Sequence, residues 1–585
     1  PLVAVGNGDA GVPAPLPMGY GRWTLLAAMD ATGIVHDAAV GPSLLQRRSE
    51  DIFDVFSNAH RETAAIDAAL AMPCSVVVVD EGDLDRADTR GLLTGGAAAS
   101  ALGRALARAD AIVGHVRQTL DPRRDLLLVL SPTSPRADNQ AHLGVAAAFG
   151  PGFPKGATLE SATTRRPGFV TLPDVAPTVL SFLHIDEPSV MNGQAWYAVS
   201  APRGDRIRAA IAADDQAVFV DRLQARVSTG FVAFQVAVYL IALLLLARLH
   251  HGSTAASDAF RRRLEVVVLS VVAFPVSTYL AGVVDTYRLG SWGTVTLLIA
   301  IDAALVAAVT LLLRTSLDRL AALTGITVGV LIADLVFGAR LELSTIFGYS
   351  PLVAGRFAGL GNIGFAVLAS SAVLTGALVV HRCDGSRASL FFAGALFAVT
   401  VIADGAPQLG SDVGGVIALV PALFVTWILL AGRKPTLRLR ALAAVAVAVA
   451  LAVFLGLDLS RPAASQTHLA RLFDSIRTQG LSVLYETIVR KARANLQVFR
   501  STIWTLFVPP ALVVMAWLLL RPRGRWEVLV DTYPRLRAGL VGALLIGVLG
   551  FAVNDSGIII PAMVLSFLVP LALLVHLSLM GSHPT

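Results

Sequence analysis

The chain has 585 residues, 55% of them hydrophobic, and a mean hydropathy of +0.68, which excludes a wholly soluble globular protein. The formal net charge is +6, but the sequence contains no nucleic-acid-binding motif, and basic residues also collect in the cytoplasmic loops of membrane proteins. The two cysteines, Cys74 and Cys383, lie in different regions, so neither a disulfide framework nor a thiolate metal site is expected.

Composition divides the chain into two parts. Residues 1–225 have an ordinary charge density and predict a soluble, extracytoplasmic domain. Residues 226–585 predict an α-helical polytopic membrane domain with a long outer loop at 458–501. The chain starts with Pro1 and reads at once like the interior of a domain, so we expect further sequence before it, such as an export helix.

In the first part, apolar runs at 75–79 (SVVVV), 126–130 (LLLVL) and 169–172 predict β-strands, and the Ala-rich stretch at 97–120 predicts a helix. Buried strands that alternate with a helix are typical of an α/β domain with a largely parallel sheet. Ligands of such sheets bind beyond the carboxyl ends of the strands, where this chain places an acidic stretch at 80–88 and a Ser/Thr-rich stretch at 131–134.

The acidic stretch contains four aspartates, namely Asp80, Asp83, Asp85 and Asp88. Their carboxylates suit a single hard divalent cation. The alternative is a solvated loop whose aspartates cap the following helix. The sequence leaves both interpretations open.

The segment from Asp125 to Gly193 resembles the C-terminal half of an alkaline-phosphatase-superfamily domain. The resemblance rests on the pieces DLLLVLS, FGPGFPKG and PGFVTLPDVAPTVLSFLHIDEPSVMNG, above all on the run from Asp174 to Leu180, and it covers roughly residues 70–195. It implies an α/β fold, and His142 matches a late metal-binding histidine of the family. The SATTRR stretch at 161–166 resembles a loop that contacts phosphate through two arginines, with an exposed basic turn as the alternative.

The catalytic pattern of that family is incomplete in this chain. The family binds two metal ions through Asp and His and places an Asp-His pair where this chain has SPTS at 131–134. No His follows Asp83 or Asp85 at the family's spacing, and the strand that carries the family's nucleophile is not expected in the chain. The resemblance thus implies a degenerate domain without the two-metal centre. The remaining candidate metal ligands are Asp80, Asp83, Asp85 and His142.

From about residue 229 onward, apolar runs of membrane-spanning length alternate with short polar loops. The eleven predicted spans are 229–248, 264–284, 292–313, 320–337, 362–381, 389–404, 413–431, 441–457, 502–520, 537–553 and 558–579. Lys and Arg concentrate in the connections on one side, which predicts that the N-terminal domain faces outward and the C-terminus lies in the cytoplasm.

This orientation places three Gly-rich polar loops, at 348–362, 404–415 and 554–557, on the outer side. Glycine lets backbone amides approach a ligand closely, arginine matches phosphate, and aspartate serves as a general base or cation ligand. We therefore predict a site with Asp404, Asp412 and Asp555 as catalytic residues. The predicted substrate-binding residues are Arg356, Asn362, Gln408, Asn554 and His468. Tight turns with polar helix caps are the alternative.

Two further features belong to the membrane part. Residues 481–498 predict a basic amphipathic helix that lies on the outer leaflet against anionic headgroups or, alternatively, packs between the two domains. Asp302 and Asp334 lie within predicted spans, where a charge costs at least ~2.5–3.5 kcal/mol. They suit a proton relay or a pair with a neighbouring arginine; a protonated structural aspartate is the alternative.

The sequence thus predicts a bacterial cell-envelope protein that binds or processes a phosphate-containing lipid or glycopolymer on the outer face of the membrane. As an enzyme it would be a hydrolase or transferase acting on phosphate esters or lipid-linked glycans, with a divalent metal ion as the possible cofactor and anionic or polyprenyl-linked lipids as partners. The alternatives are a transporter or flippase with an accessory binding domain and a non-catalytic assembly factor.

Overall fold

The structure is a computed structural model that divides into two compact units. Unit 1 comprises Pro1–Leu159 and Tyr197–Ala201, and the second, here called the membrane unit, comprises Glu160–Trp196 and Pro202–Thr585. The sequence predicts one boundary at residue 225, whereas this division is discontinuous and assigns Glu160–Trp196 to the membrane unit. The described residues are 1–6, 24–30, 32–47, 55–94, 98–134, 140–188, 191–200, 204–250, 258–353, 356–434, 436–461, 466–501, 504–520, 527, 531–554 and 557–581.

Unit 1 is an α/β unit built on short strands. The strands of the chain are β1 (Leu2–Gly6), β2 (Asp37–Val40), β3 (Leu45–Arg47), β4 (Val55–Ser57), β5 (Val76–Asp80), β6 (Leu127–Leu130), β7 (Ala146–Phe149), β8 (Thr158–Ser161) and β9 (Trp196–Val199). The helices of unit 1 are α1 (Thr24–Ala27), α2 (Ala59–Leu70), α3 (Gly82–Thr94) and α4 (Ala98–Thr119).

The parallel sheet predicted for unit 1 is confirmed only in a small form. The apolar β1 lies in the middle of a three-stranded parallel sheet of order β2-β1-β5, and Val5 pairs with both Ala39 and Val79. In contrast, β6 pairs antiparallel with β7, so the two predicted apolar strands belong to different sheets. Side chains of α2 and α4 pack against β1 around Val3, Val5 and Ile66.

One local prediction for the N-terminal part is wrong. Residues 169–172 form no strand; the segment leads into a short 3-10 turn at Leu172–Asp174. The acidic stretch, for which a solvated loop is the alternative to a metal site, is mostly helical: only Glu81 separates β5 from α3, and the first turn of α3 contains Asp83 and Asp85. Acidic side chains near a helix N-terminus are favoured by the helix dipole, which accounts for the pattern without a ligand.

The membrane unit is helical, and the predicted multi-pass membrane protein is confirmed. Within the described residues, ten helices are long and apolar enough to cross a membrane. The helices of this unit are α5 (Val175–Phe182), α6 (Arg206–His250), α7 (Asp258–Leu280), α8 (Gly290–Leu312), α9 (Ser316–Val336), α10 (Asn362–Arg382), α11 (Arg387–Gly405), α12 (Val413–Leu430), α13 (Leu437–Leu459), α14 (His468–Gln479), α15 (Ser482–Ser501), α16 (Trp504–Leu520), α17 (Pro534–Val553) and α18 (Ile559–Gly581).

Each of the eleven predicted spans coincides with one of these helices. The ninth coincides with α16, which has 17 residues and falls outside the ten. The predicted amphipathic helix at 481–498 corresponds to α15, and α14 precedes it.

Helix α10 is the centre of the membrane unit. It is buried along nearly its whole length and packs against α9, α11, α17 and α18. Small residues allow this close packing: a methyl group placed on Gly539 of α17 would lie 2.7 Å from Cβ of Ala377.

The segment Glu160–Trp196 is organised by one carboxylate. Asp174 is fully buried and forms a capping box with Thr171. Its oxygens accept hydrogen bonds from Ser161 Oγ (2.8 Å), Thr163 Oγ1 (2.6 Å), Thr171 N (2.9 Å) and Gln194 N (2.8 Å). Gly193 lies so close to Pro173 that a methyl group there would be 1.9 Å from the Pro173 carbonyl oxygen. The residues that carry the family resemblance in this segment therefore have structural partners.

Candidate functional site

The polar loops between the membrane helices meet at one end of the unit, here called the loop end. The loop after α9 contacts the loop after α11, because Leu360 N donates to Gly410 O over 3.1 Å. A methyl group on Gly359, whose φ is +81°, would lie 2.2 Å from the same carbonyl oxygen. Only glycine permits both this conformation and this approach.

Three polar side chains gather around the first turn of α12. A methyl group on Gly415 would lie 2.3 Å from Asp404 Oδ2, and one on Gly414 would lie 2.5 Å from Asn554 Oδ1 and 3.5 Å from Asp412 Oδ1. Asp404 lies at the end of α11, Asp412 precedes α12, and Asn554 follows α17. Residues from two separate loops, which the sequence analysis singles out individually, are thus brought together by the fold.

These side chains are buried and incompletely hydrogen-bonded. Asp404 has no exposed surface, and neither of its carboxylate oxygens has a hydrogen-bond partner among the described residues. The same holds, within the described part of the chain, for Asp412 Oδ2 and Asn554 Nδ2, whose residues are 5% and 3% exposed. Burying polar groups in this state costs free energy, and the cost is largest for carboxylates that stay ionised.

The charge of Arg356 acts on the carboxylate of Asp404. Arg356 is half-buried and donates a hydrogen bond from Nη1 to Leu360 O. Among the described residues, the two charged neighbours of Asp404 are therefore Arg356 and Asp412. We refer to Arg356, Asp404, Asp412 and Asn554 as the Asp404 site. The N-terminus of α12 adds a positive partial charge beside the two carboxylates.

Glu342, which the sequence analysis misses, lies beside the site. It is fully buried in a compact turn in which Tyr349 N donates to Glu342 O over 2.7 Å. Its Oε2 accepts from Gly361 N at 3.2 Å, and a methyl group on Gly364 would lie 2.3 Å from Oε1. Burial raises the pKa of Glu342 to about 8, against the opposing effects of that hydrogen bond and of the Arg356 charge.

The arginines of the SATTRR stretch also lie at the loop end. Arg165 donates to Pro407 O (2.6 Å) and to Ser411 Oγ (3.3 Å). Arg166 donates to Phe357 O, Ala339 O and, at 3.0 Å, Tyr349 Oη. Both guanidinium groups therefore fix the loops of the Asp404 site, a structural role that the sequence does not reveal because the partners lie more than 170 residues away.

Arg165 also belongs to a cluster of positive charge. Burial lowers the pKa of Arg165, and the charges of Arg461 and Arg356 lower it further. Arg461 lies 3.5 Å from Asp458 Oδ1, and the fully buried Asp458 also accepts from Thr467 Oγ1 at 2.7 Å. Mutual repulsion among three guanidinium groups favours the binding of an anion beside them.

The other predicted substrate-binding residues differ in position. Gln408 is exposed on the α11–α12 link, and Asn362 is the half-buried first residue of α10. His468 begins α14, but the placement of its side chain lies outside the described part of the structure, as does the whole of Asp555.

The two intramembrane carboxylates occupy different depths. Asp334 lies in the last turn of α9 and accepts from Leu341 N at 2.9 Å, so it holds the loop after that helix. Asp302 lies near the middle of α8, is 8% exposed, and its Oδ1 has no hydrogen-bond partner within the described residues. No hydrogen bond among the described residues joins the two.

The candidate metal ligands of unit 1 have protein partners. The buried Asp83 accepts from Ser57 N (3.0 Å) and from the guanidinium groups of Arg86 and Arg108. Asp80 Oδ2 accepts from Thr24 Oγ1 at 2.7 Å.

Asp85 lies in the first turn of α3, and the backbone of His142 is hydrogen-bonded to Ser134 Oγ. In the described part of the chain, no group of three or more His, Cys, Asp or Glu side chains is arranged to hold a metal ion.

Two carboxyl groups that the sequence analysis misses, Glu62 and Glu81, are buried near Asp83. The sequence signal for them is weak, since one lies in an ordinary amphipathic helix.

Comparison with known proteins adds no relative: no family model, curated protein or solved structure matches the chain.

Proposed function

We propose that this multi-pass membrane protein binds a phosphate-bearing lipid or lipid-linked glycan at the Asp404 site. The observation that carries the proposal is the state of Asp404, which is fully buried beside Arg356 while both its oxygens are without a hydrogen bond from any described residue. A carboxylate in this state is costly to maintain, and a bound ligand that donates hydrogen bonds removes that cost.

The two kinds of charge at the loop end support a ligand that carries both phosphate and hydroxyl groups. Arg356, Arg165 and Arg461 form the positive cluster, which suits phosphate oxygens. Asp404 and Asp412 are acceptors, which suit the hydroxyl groups of a sugar or glycerol. A molecule that carries a phosphate next to hydroxyl groups satisfies both, and its lipid chain would extend among the membrane helices.

The same arrangement suits acid–base chemistry. A carboxylate that accepts a hydrogen bond from a ligand hydroxyl or from water takes up its proton as that oxygen attacks phosphorus or the glycosidic carbon. The bond from the attacked atom to its alcohol or lipid-phosphate substituent breaks, and this leaving group departs and takes up a proton. Arg356 would stabilise the negative charge that develops on the phosphate. The reaction class is therefore hydrolysis or group transfer on phosphate esters or lipid-linked glycans, with Asp404 or Asp412 as the base.

The test is lipid binding by the full chain in nanodiscs, measured with a polyprenyl phosphate and with the matching polyprenol that lacks the phosphate. We expect the chain to bind the phosphate form more tightly than the polyprenol. The Arg356→Ala variant should bind the phosphate form about tenfold to hundredfold more weakly, which corresponds to the loss of one hydrogen bond to a charged group. Arg340→Ala is the matched control, because Arg340 is an exposed arginine of the same loop. Equal binding by both variants, or by both lipids, would refute the proposal.

Asp302 supports a second candidate function, proton-coupled transport. Its position near the middle of α8, with one oxygen lacking a partner among the described residues, suits a group that gains and loses a proton. Proteoliposomes with an internal pH dye would show a lipid-dependent proton flux that Asp302→Asn abolishes. A flux that persists in this variant would exclude Asp302 as the proton carrier.

For unit 1 we propose a degenerate alkaline-phosphatase-like domain that holds partners and does not cleave phosphate esters. The support is the engagement of Asp83 by two arginines at the position where the resemblance would place a metal ligand. Incubation of the full chain with a divalent metal ion and p-nitrophenyl phosphate should release no phosphate. If the wild-type chain released phosphate and the Asp83→Ala variant did not, the domain would have a metal-dependent catalytic role and the proposal would be wrong.

A further inference from the structure

Helix α15 has an exposed apolar stripe. Leu481, just before the helix, is 73% exposed, and Tyr485, Ile488 and Leu496 are 70%, 57% and 48% exposed. These positions follow helical spacing and lie on one side, together with Ala492. At 1.5 Å per residue the stripe extends over about 22 Å. Such a continuous exposed stripe requires a partner in water.

Basic residues are distributed over the remaining sides of the helix, and Arg493 and Arg500 lie on the same flank of the stripe. Helix α15 contains Arg490, Lys491, Arg493 and Arg500 against a single acidic residue, Glu486. An open recess of about 420 Å³ is lined by Arg493, Leu496, Gln497 and Arg500. Within the described residues, neither Arg493 nor Arg500 forms a hydrogen bond or ion pair. The recess therefore combines two available guanidinium groups with an apolar wall.

Toward its C-terminal end, the side of α15 that carries the stripe is fixed to the end of two membrane helices through Asn495 and Phe499. Asn495 Nδ2 donates to Phe551 O of α17 over 3.1 Å, and Asn495 Oδ1 accepts from Gly557 N, just before α18, at 3.0 Å. The rings of Phe499 and Phe551 meet edge to face with centroids 6.2 Å apart. The apolar helix α16 begins three residues after α15 ends. These contacts hold α15 at the end of α17 and α18, two of the helices that are long and apolar enough to cross a membrane.

We propose that α15 lies in the headgroup layer of an anionic leaflet and that its recess binds the phosphate of one anionic phospholipid. The apolar stripe enters the boundary of the acyl chains, and Arg493 and Arg500 hold the phosphate while Leu496 contacts the upper part of an acyl chain. The charge ratio of the helix and its position at the end of α17 favour a lipid surface over a protein partner. This lipid site shares no residue with the Asp404 site.

The first experiment measures the depth of α15 in nanodiscs with and without phosphatidylglycerol. Single nitroxide labels are placed at positions 488 and 493 of the full chain in a Cys74→Ser/Cys383→Ser background, which removes the two exposed thiols. We expect the label at 488 to collide with oxygen in preference to a water-soluble nickel chelate, and the label at 493 to show the reverse. Access of nickel to position 488 would overturn the proposal, and so would exclusion of both reagents, which indicates a protein partner.

The second experiment measures retention of phosphatidylglycerol by native mass spectrometry. The double variant Arg493→Gln/Arg500→Gln should lose about fivefold in retention per charge removed. Arg477→Gln, at the exposed end of α14, is the matched control and should leave retention unchanged. Because the substituted side chains are exposed or form no described hydrogen bond, folding is not at risk. Equal retention by the double variant and the control would refute the phosphate site.

Discussion

Asp174 and Asp404 are both fully buried carboxylates of the membrane unit, and their surroundings differ sharply. Asp174 accepts four hydrogen bonds within the segment that it organises. Asp404 accepts none from the described residues and faces Asp412 and Arg356 instead. A carboxylate whose acceptor sites are filled stabilises the fold, whereas one whose sites are open costs stability and is available to a ligand.

The largest effect should come from removing the filled carboxylate. Asp174→Ala leaves the buried amides of Thr171 and Gln194 and two hydroxyl groups without their acceptor. We expect a loss of at least about 3 kcal/mol in the free energy of unfolding, measured by thermal or denaturant unfolding of the purified chain. The control is Asp186→Ala in the same segment, where the exposed carboxylate should contribute within about 0.5 kcal/mol. Similar stability of the two variants would contradict a structural role for Asp174.

The open carboxylate should respond in the opposite direction. Asp404→Asn removes a buried carboxylate that accepts no hydrogen bond from the described residues, so the melting temperature should stay equal or rise. Binding of the phosphate lipid should fall at least about tenfold. Asp174→Asn, the same substitution at the filled carboxylate, should lower the melting temperature, because its amide nitrogen then faces hydrogen-bond donors. If the Asp404→Asn variant were less stable and still bound the lipid fully, Asp404 would be a structural carboxylate like Asp174 and not part of a ligand site.

The sequence predicts the loops of the Asp404 site but not their contacts. Arg356, Asp404 and Asp412 stand out because polar, Gly-rich stretches interrupt runs of membrane-spanning length. Glu342 does not stand out, since its burial follows from a turn that closes between residues 342 and 349 and from the glycines of α10. The roles of Arg165 and Arg166 depend on partners that are distant in sequence. Hydrophobic periodicity reports only local structure and does not reveal such partners.

Unit 1 shows the same limit. An apolar run predicts a buried strand at β5 and β6, but it carries no information on pairing, and β6 is antiparallel to β7. In the membrane unit, the Asp174 run, which the resemblance associates with a family of enzymes, has the contacts of a packing motif. Short apolar strands and capping aspartates recur for structural reasons in many folds, so their pattern predicts local structure better than activity.

A smaller effect is expected from displacing the open carboxylate without removing it. Gly415→Ala adds a methyl group 2.3 Å from Asp404 Oδ2, so the side chain or α12 must shift, at a cost of about 1–3 kcal/mol. Lipid binding should weaken together with stability. Gly456→Ala in α13 meets no neighbouring atom and should stabilise the chain by about 0.5–1 kcal/mol. Equal effects of both substitutions on binding would show that the position of Asp404 is unimportant.

The smallest effect concerns the buried carboxyl groups of Glu62 and Glu81 in unit 1. Their oxygens lack hydrogen-bond partners in the described part of the chain, and their charges act on each other. Burial raises the pKa of Glu81 to about 8, with the charges of Glu62 and Asp83 adding to the rise, and burial also raises the pKa of Glu62. A folded-state pKa above the unfolded value stabilises the protonated form, so this contribution is complete below about pH 4.5 and is lost as the pH rises to about 8.

Hydrogen exchange of the amides of β5 in the full chain, corrected for the intrinsic pH dependence of exchange, should therefore show protection that falls across this interval. Glu81→Gln keeps the shape of the side chain and removes the titration, so its protection should vary less with pH, whereas Glu160→Gln at a partly exposed position should behave like the wild type. If the pH dependence of Glu81→Gln matched that of the wild type, the pair would not be the titrating group. Protonation of Glu81 would then no longer explain how these carboxyl groups, unlike Asp404, are accommodated without a ligand.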